Sequence, residues 1–272
     1  MELKFSIITP TYKRNDLLIR AINSLINQNY RNWEMIIIDD YPLNNLDSFL
    51  KSINSEKIKY FKNKKNEGCN YSRNKGLKNV NKKSDYIIFL DDDDYFNINT
   101  LKNINNFLKG KNINWLITNK IDNKGNKISK ITGNKISYNY IYDYLFGKNI
   151  IGDVTHIIKN NIINNLYFPN LIKNGEEWIF FYKIAKKNNI YYFDEDSTIC
   201  EYLEGGLTLS KENNYILNRL KYKNILFEMI KNKIYNLKLL IKFFGMYLFT
   251  FKYIKNTFEY IKIDKIIKKI IK

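Results

Sequence analysis

At 272 residues and 32.7 kDa, the chain is long enough for one large α/β domain or two small ones with a sizeable core. Its 44% hydrophobic and 26% charged residues exclude a wholly disordered chain, and 3 prolines with 11 glycines exclude collagen-like and proline-rich classes. An excess of 45 basic over 27 acidic residues gives a net charge of +18, which points to an anionic partner: nucleic acid, a nucleotide or a phospholipid surface.

In chain order, residues 5–9 read as a buried strand, and Leu17, Leu18, Ala21, Ile22, Leu25 and Ile26 then recur at helical spacing. Residues 33–38 form a second strand, 47–53 a short helix, 58–61 a third strand, 72–80 a helix and 86–90 a fourth strand. Thr100 is placed to cap a helix carrying Leu101, Ile104, Phe107 and Leu108, and residues 115–118 follow as a strand. Alternation of apolar strands with helices predicts an α/β fold: a mostly parallel sheet flanked by helices. The polar stretch 119–132, with a turn at Asp122-Asn-Lys-Gly125, suits a hairpin or loop. Residues 138–146 and 176–187 read as helices, the latter with Trp178, Phe181, Tyr182 and Ala185 on its apolar side; 190–193 and 198–203 read as late strands.

Charge is uneven. Residues 211–272 hold 15 basic and 4 acidic side chains, or +11 of the total, so a boundary is expected near residue 210 between a mixed-charge body and a basic helical tail. Within that body a further division is expected at residue 118, between 1–118 and 119–210. Met1-Glu-Leu-Lys runs straight into a strand pattern, so no signal peptide is expected. No run reaches the roughly 18 apolar residues that cross a bilayer. In the tail, Leu237, Leu240, Ile241, Phe244, Leu248 and Phe251 fall on one stripe. A second stripe, Ile263, Ile266, Ile267, Ile270 and Ile271, lies opposite five lysines from Lys262 to Lys272. A basic amphipathic helix of this kind suits an anionic headgroup plane, or else packs on protein. The expected location is cytoplasmic and peripheral on the inner face of the membrane.

In an open parallel sheet, ligands bind beyond the carboxyl ends of the strands. Those ends carry Thr9-Pro10-Thr11-Tyr12-Lys-Arg14 after the first strand, Asp39 and Asp40 after the second, and Asp91, Asp92, Asp93 and Asp94 after the fourth. Six carboxylates on one rim repel one another unless something cationic lies between them. A hard dication such as Mn2+ or Mg2+, held by one or two carboxylates and a substrate's phosphates, meets that need; the alternative is a solvated acidic turn. Neither a dinucleotide glycine fingerprint nor a P-loop is present, so phosphate contacts fall to Arg14 and Arg73, whose planar forks pair with phosphate. A single histidine, His156, makes histidine dyads improbable and reads as packing or a surface group. Cys69 and Cys200 form neither a disulfide framework nor a metal knuckle.

These motifs carry a resemblance. Ser6-Ile-Ile-Thr-Pro-Thr-Tyr-Lys-Arg14, Trp33 to Asp40, Asn66-Glu-Gly-Cys-Asn-Tyr-Ser-Arg-Asn74, Phe89 to Asp94 and Asn174-Gly-Glu-Glu-Trp178 together resemble, in order and spacing, a family 2 glycosyltransferase with the A-type nucleotide-sugar fold. The resemblance implies inverting transfer of a sugar from a nucleotide diphosphate, a UDP-sugar in first place, to a glycan or lipid-linked glycan. It also implies roles: 1–118 would be the nucleotide-binding half and 119–210 the acceptor half of a catalytic domain. Thr9, Pro10, Thr11 and Asp40 would hold the base, with Tyr12, Arg14, Asp39, Asn66, Arg73, Asp91 and Asp92 also at the donor. Asp93 and Asp91 would hold the metal, and Glu177 would be the general base, with Glu176 as the alternative. Tyr41-Pro-Leu replaces the family's Gly-Ser after Asp40, and Glu177 stands where the family has aspartate. Residues 202–210 resemble a segment that closes over the site. A nucleotidyltransferase on the same fold, or a non-catalytic basic module binding anionic lipid or nucleic acid, are the alternatives; the strand-end aspartates sit badly against a phosphate backbone, so no nucleic acid is expected.

Overall fold

The computed structural model describes residues 2–133, 135–201 and 215–251, with side chains of the last segment described over 222–248. The second tail stripe and residues 202–210 lie outside the described residues. The chain divides into two compact units, 1–202 and 203–272.

In the first unit the elements run β1 (Phe5–Thr11), α1 (Asn15–Ile26), β2 (Trp33–Asp39), α2 (Asp47–Ile53), β3 (Ile58–Lys62), α3 (Cys69–Lys78), β4 (Tyr86–Phe89), β5 (Asp94–Phe96), α4 (Thr100–Leu108) and β6 (Trp115–Asp122). They continue with β7 (Lys130–Ile131), β8 (Ser137–Tyr138), a π-helical turn (Tyr140–Leu145), β9 (Ile150–Ile151), β10 (Val154–Lys159), α5 (Trp178–Ala185) and β11 (Ile190–Cys200). The main sheet has the order β3-β2-β1-β4-β10-β6-β11-β5, with β8 also on β11. The pairs β3–β2, β2–β1, β1–β4 and β6–β11 are parallel, whereas β10 is antiparallel to both its neighbours.

Continuous apolar strands are buried on both faces because helices cover both. Ile7, Ile37 and Ile88 face one layer with Leu18, Ile22 and Leu101 of α1 and α4, while Ile8, Ile36 and Ile87 face the other with Phe180 and Ile184 of α5. Helix α3 presses closely on β1. A Cβ on Gly76 would lie 2.4 Å from Ile8 Cγ2, so only glycine admits this approach. The register Thr11↔Asp39 ends β1 and β2 level, and the Leu90 amide bonds to the Ile8 carbonyl, so the aspartates after β4 emerge on that same rim.

Several expectations change. Thr100 is the first helical residue, not the cap; its hydroxyl donates to the Ser197 carbonyl at 2.7 Å, tying α4 to β11. The two late strands are one, because β11 continues through register shifts between Tyr192 and Thr198 despite the acidic Asp194-Glu-Asp run. The segment 138–146 forms a π-helical turn capped by Asn139, and α5 begins at Trp178, leaving Glu176 and Glu177 ahead of it. Strand β10, which places His156 in the sheet, had no clear alternation to announce it.

In the second unit, α6 (Tyr215–Lys231) and α7 (Leu237–Phe251) pack on one another. Leu239, Phe243 and Tyr247 are buried, while Leu237, Ile241, Phe244 and Leu248 of the predicted stripe are exposed. No helix among the described residues is long and apolar enough to cross a membrane.

His156 is sealed among Trp115, Tyr144 and Phe181; Trp115 Nε1 donates to its Nδ1 at 3.1 Å, which leaves the ring proton on Nε2. Burial is the main cause that lowers its pKa to about 3, with nearby Asp153 opposing and Lys120 adding to the effect. The unfolded chain therefore binds a proton below about pH 6.5 that the folded chain refuses. Stability present above that pH is lost as pH falls toward 3, at up to about 1.4 kcal/mol per unit. We expect thermal midpoints measured from pH 7 to 4.5 to fall less steeply in His156→Gln than in the natural chain; parallel curves would contradict the assignment.

Candidate active site

The first strand ends in Thr9-Pro10-Thr11. Thr9 is fully buried and its hydroxyl has no partner among the described residues, so its side chain is sealed within the sheet. Thr11 Oγ1 donates to Asp92 Oδ2 at 2.8 Å, joining the first-strand motif directly to the aspartate stretch. Tyr12 is exposed and meets Tyr41 edge-on, at 5.7 Å between ring centroids, with the Lys13 ammonium over both rings. The aromatic Tyr41 thus gives this edge a second ring.

Asp39 and Asp40 are buried and held by neutral donors. Asp39 accepts from Tyr60 Oη, Asn44 Nδ2 and the Tyr41 amide. Asp40 accepts from the Glu67 and Gly68 amides and from Asn63 Nδ2, at 2.7–2.9 Å. Asp40 therefore ties the end of β2 to the loop before α3, in which Asn66 is exposed. Gly68 has φ +94°, and a Cβ there would lie 2.6 Å from the Lys173 carbonyl oxygen. That contact brings the segment carrying Glu176 and Glu177 to α3.

Two asparagines of α3 fasten that segment. Asn70 Nδ2 donates to the carbonyls of Ile172 and Gly175, and the Cys69 amide donates to Asn174 Oδ1. Asn74 Nδ2 donates to the Phe168 carbonyl while its Oδ1 accepts from the Phe168 amide. Between these asparagines stands Arg73, almost wholly buried. Its Nη2 donates to Asp91 Oδ1 and its Nη1 to Glu177 Oε1, each at 2.7 Å. One guanidinium thus bridges the aspartate stretch and the Glu177 carboxylate. Glu176 differs: its backbone is left-handed, φ +62°, and its carboxylate accepts from Trp178 Nε1 at 2.7 Å.

The other aspartates have cations of their own. Arg14 Nη1 reaches Asp92 at 3.2 Å and Asp93 at 2.8 Å, Arg20 Nη2 holds the Asp93 carbonyl at 2.7 Å, and Lys120 Nζ reaches Asp94 at 2.9 Å and Asp153 at 2.7 Å. Repulsion on the rim is therefore relieved in part by cations of the chain itself. The relief is incomplete: three cations, Arg14, Arg73 and Lys120, face six carboxylates once Glu177 and Asp153 are included. Burial pushes the Asp92 carboxyl up to about 6 against the pull of Thr11 and Arg14, and burial likewise raises Asp93 and Asp94. Asp91 is the exception; burial raises it, but Arg73, Lys120 and Arg14 together outweigh that and lower it.

A dication fits this donor set. Among the described residues no three acidic, histidine or cysteine side chains converge to cage an ion. Asp91 and Asp93 are the partly exposed members of the stretch, each with one oxygen on an arginine. Two carboxylates with the remaining positions left to a substrate's oxygens is the way magnesium and manganese are held beside phosphates.

The geometry gathers Thr11, Arg14, Arg73, Asp91, Asp92, Asp93 and Glu177 into one contact network; Asp39, Asp40 and Asn66 lie beside it in the β2 and α3 loops. Lys120, Asp153, Arg20, Asn70 and Asn74 belong to the network and escaped the sequence reading. Only Asn70 and Asn74, which flank Arg73 inside a quoted motif, carried a signal that could have found them.

Comparison with known proteins agrees with this architecture. The profile of glycosyl transferase family 2 matches residues 6–160. An uncharacterized glycosyltransferase of Rickettsia conorii is 31% identical over 79% of this chain and 35% of that protein, so the chain spans about a third of this relative's length. The Escherichia coli UDP-Glc:alpha-D-GlcNAc-diphosphoundecaprenol beta-1,3-glucosyltransferase WfgD is 30% identical over 68% of this chain and 71% of its own. Among solved structures, Staphylococcus aureus TarS 1-349 in complex with UDP superposes with a TM-score of 0.62 at 24% identity, over 82% of this chain and 66% of that one, a likeness of fold. With more than half its length matched by one family profile, and that family's motifs meeting at one rim of an A-type sheet, the chain belongs to glycosyl transferase family 2.

Proposed function

We propose that the chain is a metal-dependent, inverting glycosyltransferase of bacterial surface polysaccharide, lipooligosaccharide or glycoprotein glycan assembly, moving a hexosyl or N-acetylhexosaminyl group from a UDP-sugar to a glycan or lipid-linked glycan. The observation that carries this reading is the Arg73 bridge, which sets the Glu177 carboxylate beside the aspartates. The names of relatives support the substrate class: WfgD and a Campylobacter jejuni relative, 27% identical over 78% of each chain, are both named for glucosyl transfer to undecaprenyl-linked sugars. TarS has been solved with UDP and with UDP-GlcNAc.

In this reading Tyr12 and the strand-end loops of β1 and β2, with Asp39, Asp40 and Asn66, flank the base. Asp91 and Asp93 would hold Mn2+ or Mg2+, which when bound would supply positive charge beside the diphosphate. Arg14 and Arg73 add fixed positive charge on the same side. Glu177 accepts the proton of the acceptor hydroxyl as that oxygen bonds to the anomeric carbon from the face opposite the diphosphate. The bond from the anomeric carbon to the diphosphate oxygen breaks, and its electron pair leaves with the nucleotide. Glu176 is tied to Trp178, so Glu177 is the base we assign.

A panel of nucleotide-sugars scored by turnover, with manganese present, tests this. Glu177→Gln should lower kcat about 10²- to 10⁴-fold while binding UDP about as well as the natural chain, and Glu176→Gln should cost far less. Asp93→Ala should abolish the manganese dependence of UDP binding. Near-normal turnover by Glu177→Gln, or none by the natural chain with any nucleotide-sugar, would overturn the reading.

We further propose a peripheral site on the cytoplasmic face of the membrane for the second unit. The exposed Leu237, Ile241, Phe244 and Leu248 of α7 lie among exposed Lys238 and Lys242, a pattern that suits anionic headgroups. Co-sedimentation of the full chain with vesicles should rise when phosphatidylglycerol is added to phosphatidylcholine; equal partitioning on both would contradict it.

A further inference from the structure

Lys120 is the one buried lysine with two carboxylate partners among the described residues, and no motif of the sequence accounts for it. It projects from β6 with its ammonium enclosed, and it holds Asp94 at the end of the aspartate stretch and Asp153 in the loop before β10. Those two partners differ. Asp94 is buried, whereas the Asp153 side chain is 56% exposed. A surface carboxylate is normally mobile; this one is held at both oxygens and follows a glycine whose backbone is constrained. Lys120 holds Oδ2, the Val154 amide donates to Oδ1 at 3.0 Å, and the preceding Gly152 has φ +85° with the Ile128 carbonyl oxygen 2.2 Å from where a Cβ would stand.

We propose that Asp153 is the anchor for a hydroxyl of the donor's sugar, and that Lys120 is the positioning residue that fixes it there. This rests on the reading of the chain as a nucleotide-sugar transferase. Each oxygen of Asp153 keeps a lone pair beyond its present partner, and a carboxylate accepts strongly from sugar hydroxyls. Asp153 shares one ammonium with the last of the four aspartates, so the sugar of a diphosphate held at that stretch would be presented towards it. Tyr144 lies within electrostatic reach of Asp153, Lys120 and Glu177 alike. A carboxylate fixed this rigidly also selects among sugars by which hydroxyl it meets.

Calorimetric titration of the full chain with UDP, UDP-glucose and UDP-GlcNAc, with manganese present, tests the proposal. In Asp153→Ala the Kd for UDP should stay within about twofold, while the ratio of the UDP-sugar Kd to the UDP Kd for the better sugar rises about tenfold or more. Lys120→Met should raise the same ratio; should that variant fail to fold, Asp153→Ala decides alone. An unchanged ratio overturns the proposal, including the case in which Asp153→Ala alters only the KM for the acceptor. If the natural chain binds none of the three nucleotides, it is the underlying reading that fails.

Discussion

A guanidinium with almost no exposed surface, joined to one carboxylate after β4 and another ahead of α5, is the constraint on which the rest of the site depends. Burying Arg73 without partners would be costly, and neither Asp91 nor Glu177 alone would use both ends of its fork. The bond to Asp91 belongs to the loop after β4; the bond to Glu177 belongs to a segment about a hundred residues later. Helix α3 brings them together because Asn70 and Asn74, one on each side of Arg73 in sequence, grip the backbone of residues 168–175. Gly76 lets the same helix press on β1, whose Thr11 holds Asp92. Position thus passes from sheet to helix to loop with few free joints.

The electrostatics follow from that frame. Three cations built into the rim keep four adjacent aspartates and two further carboxylates within one small volume, yet leave the rim short of neutrality, and burial still raises Asp92, Asp93 and Asp94. A strongly basic chain therefore carries its densest negative charge where its family's motifs converge. Such a place favours a dication, and a dication there favours a diphosphate.

Much of this was legible in the sequence, for physical reasons that differ by element. Runs such as Phe5-Ser-Ile-Ile and Trp33 to Ile38 announce buried parallel strands because both faces must be apolar, and the aspartates that follow them mark the rim because strand ends are where loops converge. The helix at Asp47–Ile53 was readable from its own periodicity. What could not be read depends on distant partners. Lys120 is one lysine among many, and only its enclosure beside Asp94 and Asp153 distinguishes it. Thr100 looks like a cap because Ser197, which takes its hydroxyl, is about a hundred residues away. The acidic run in β11 reads as a break because nothing local reveals that Lys127 and Asn119 pair with Asp194 across the sheet. The choice between Glu176 and Glu177 likewise waits on Trp178 and Arg73.

Arg73 couples the Asp91 and Glu177 segments energetically as well as geometrically. A double-mutant cycle on urea unfolding, with Arg73→Met, Glu177→Gln and the pair, measures that coupling directly. The double variant should lose less stability than the two single losses combined, by about 1 kcal/mol or more. Losses that add to within about 0.3 kcal/mol would contradict it.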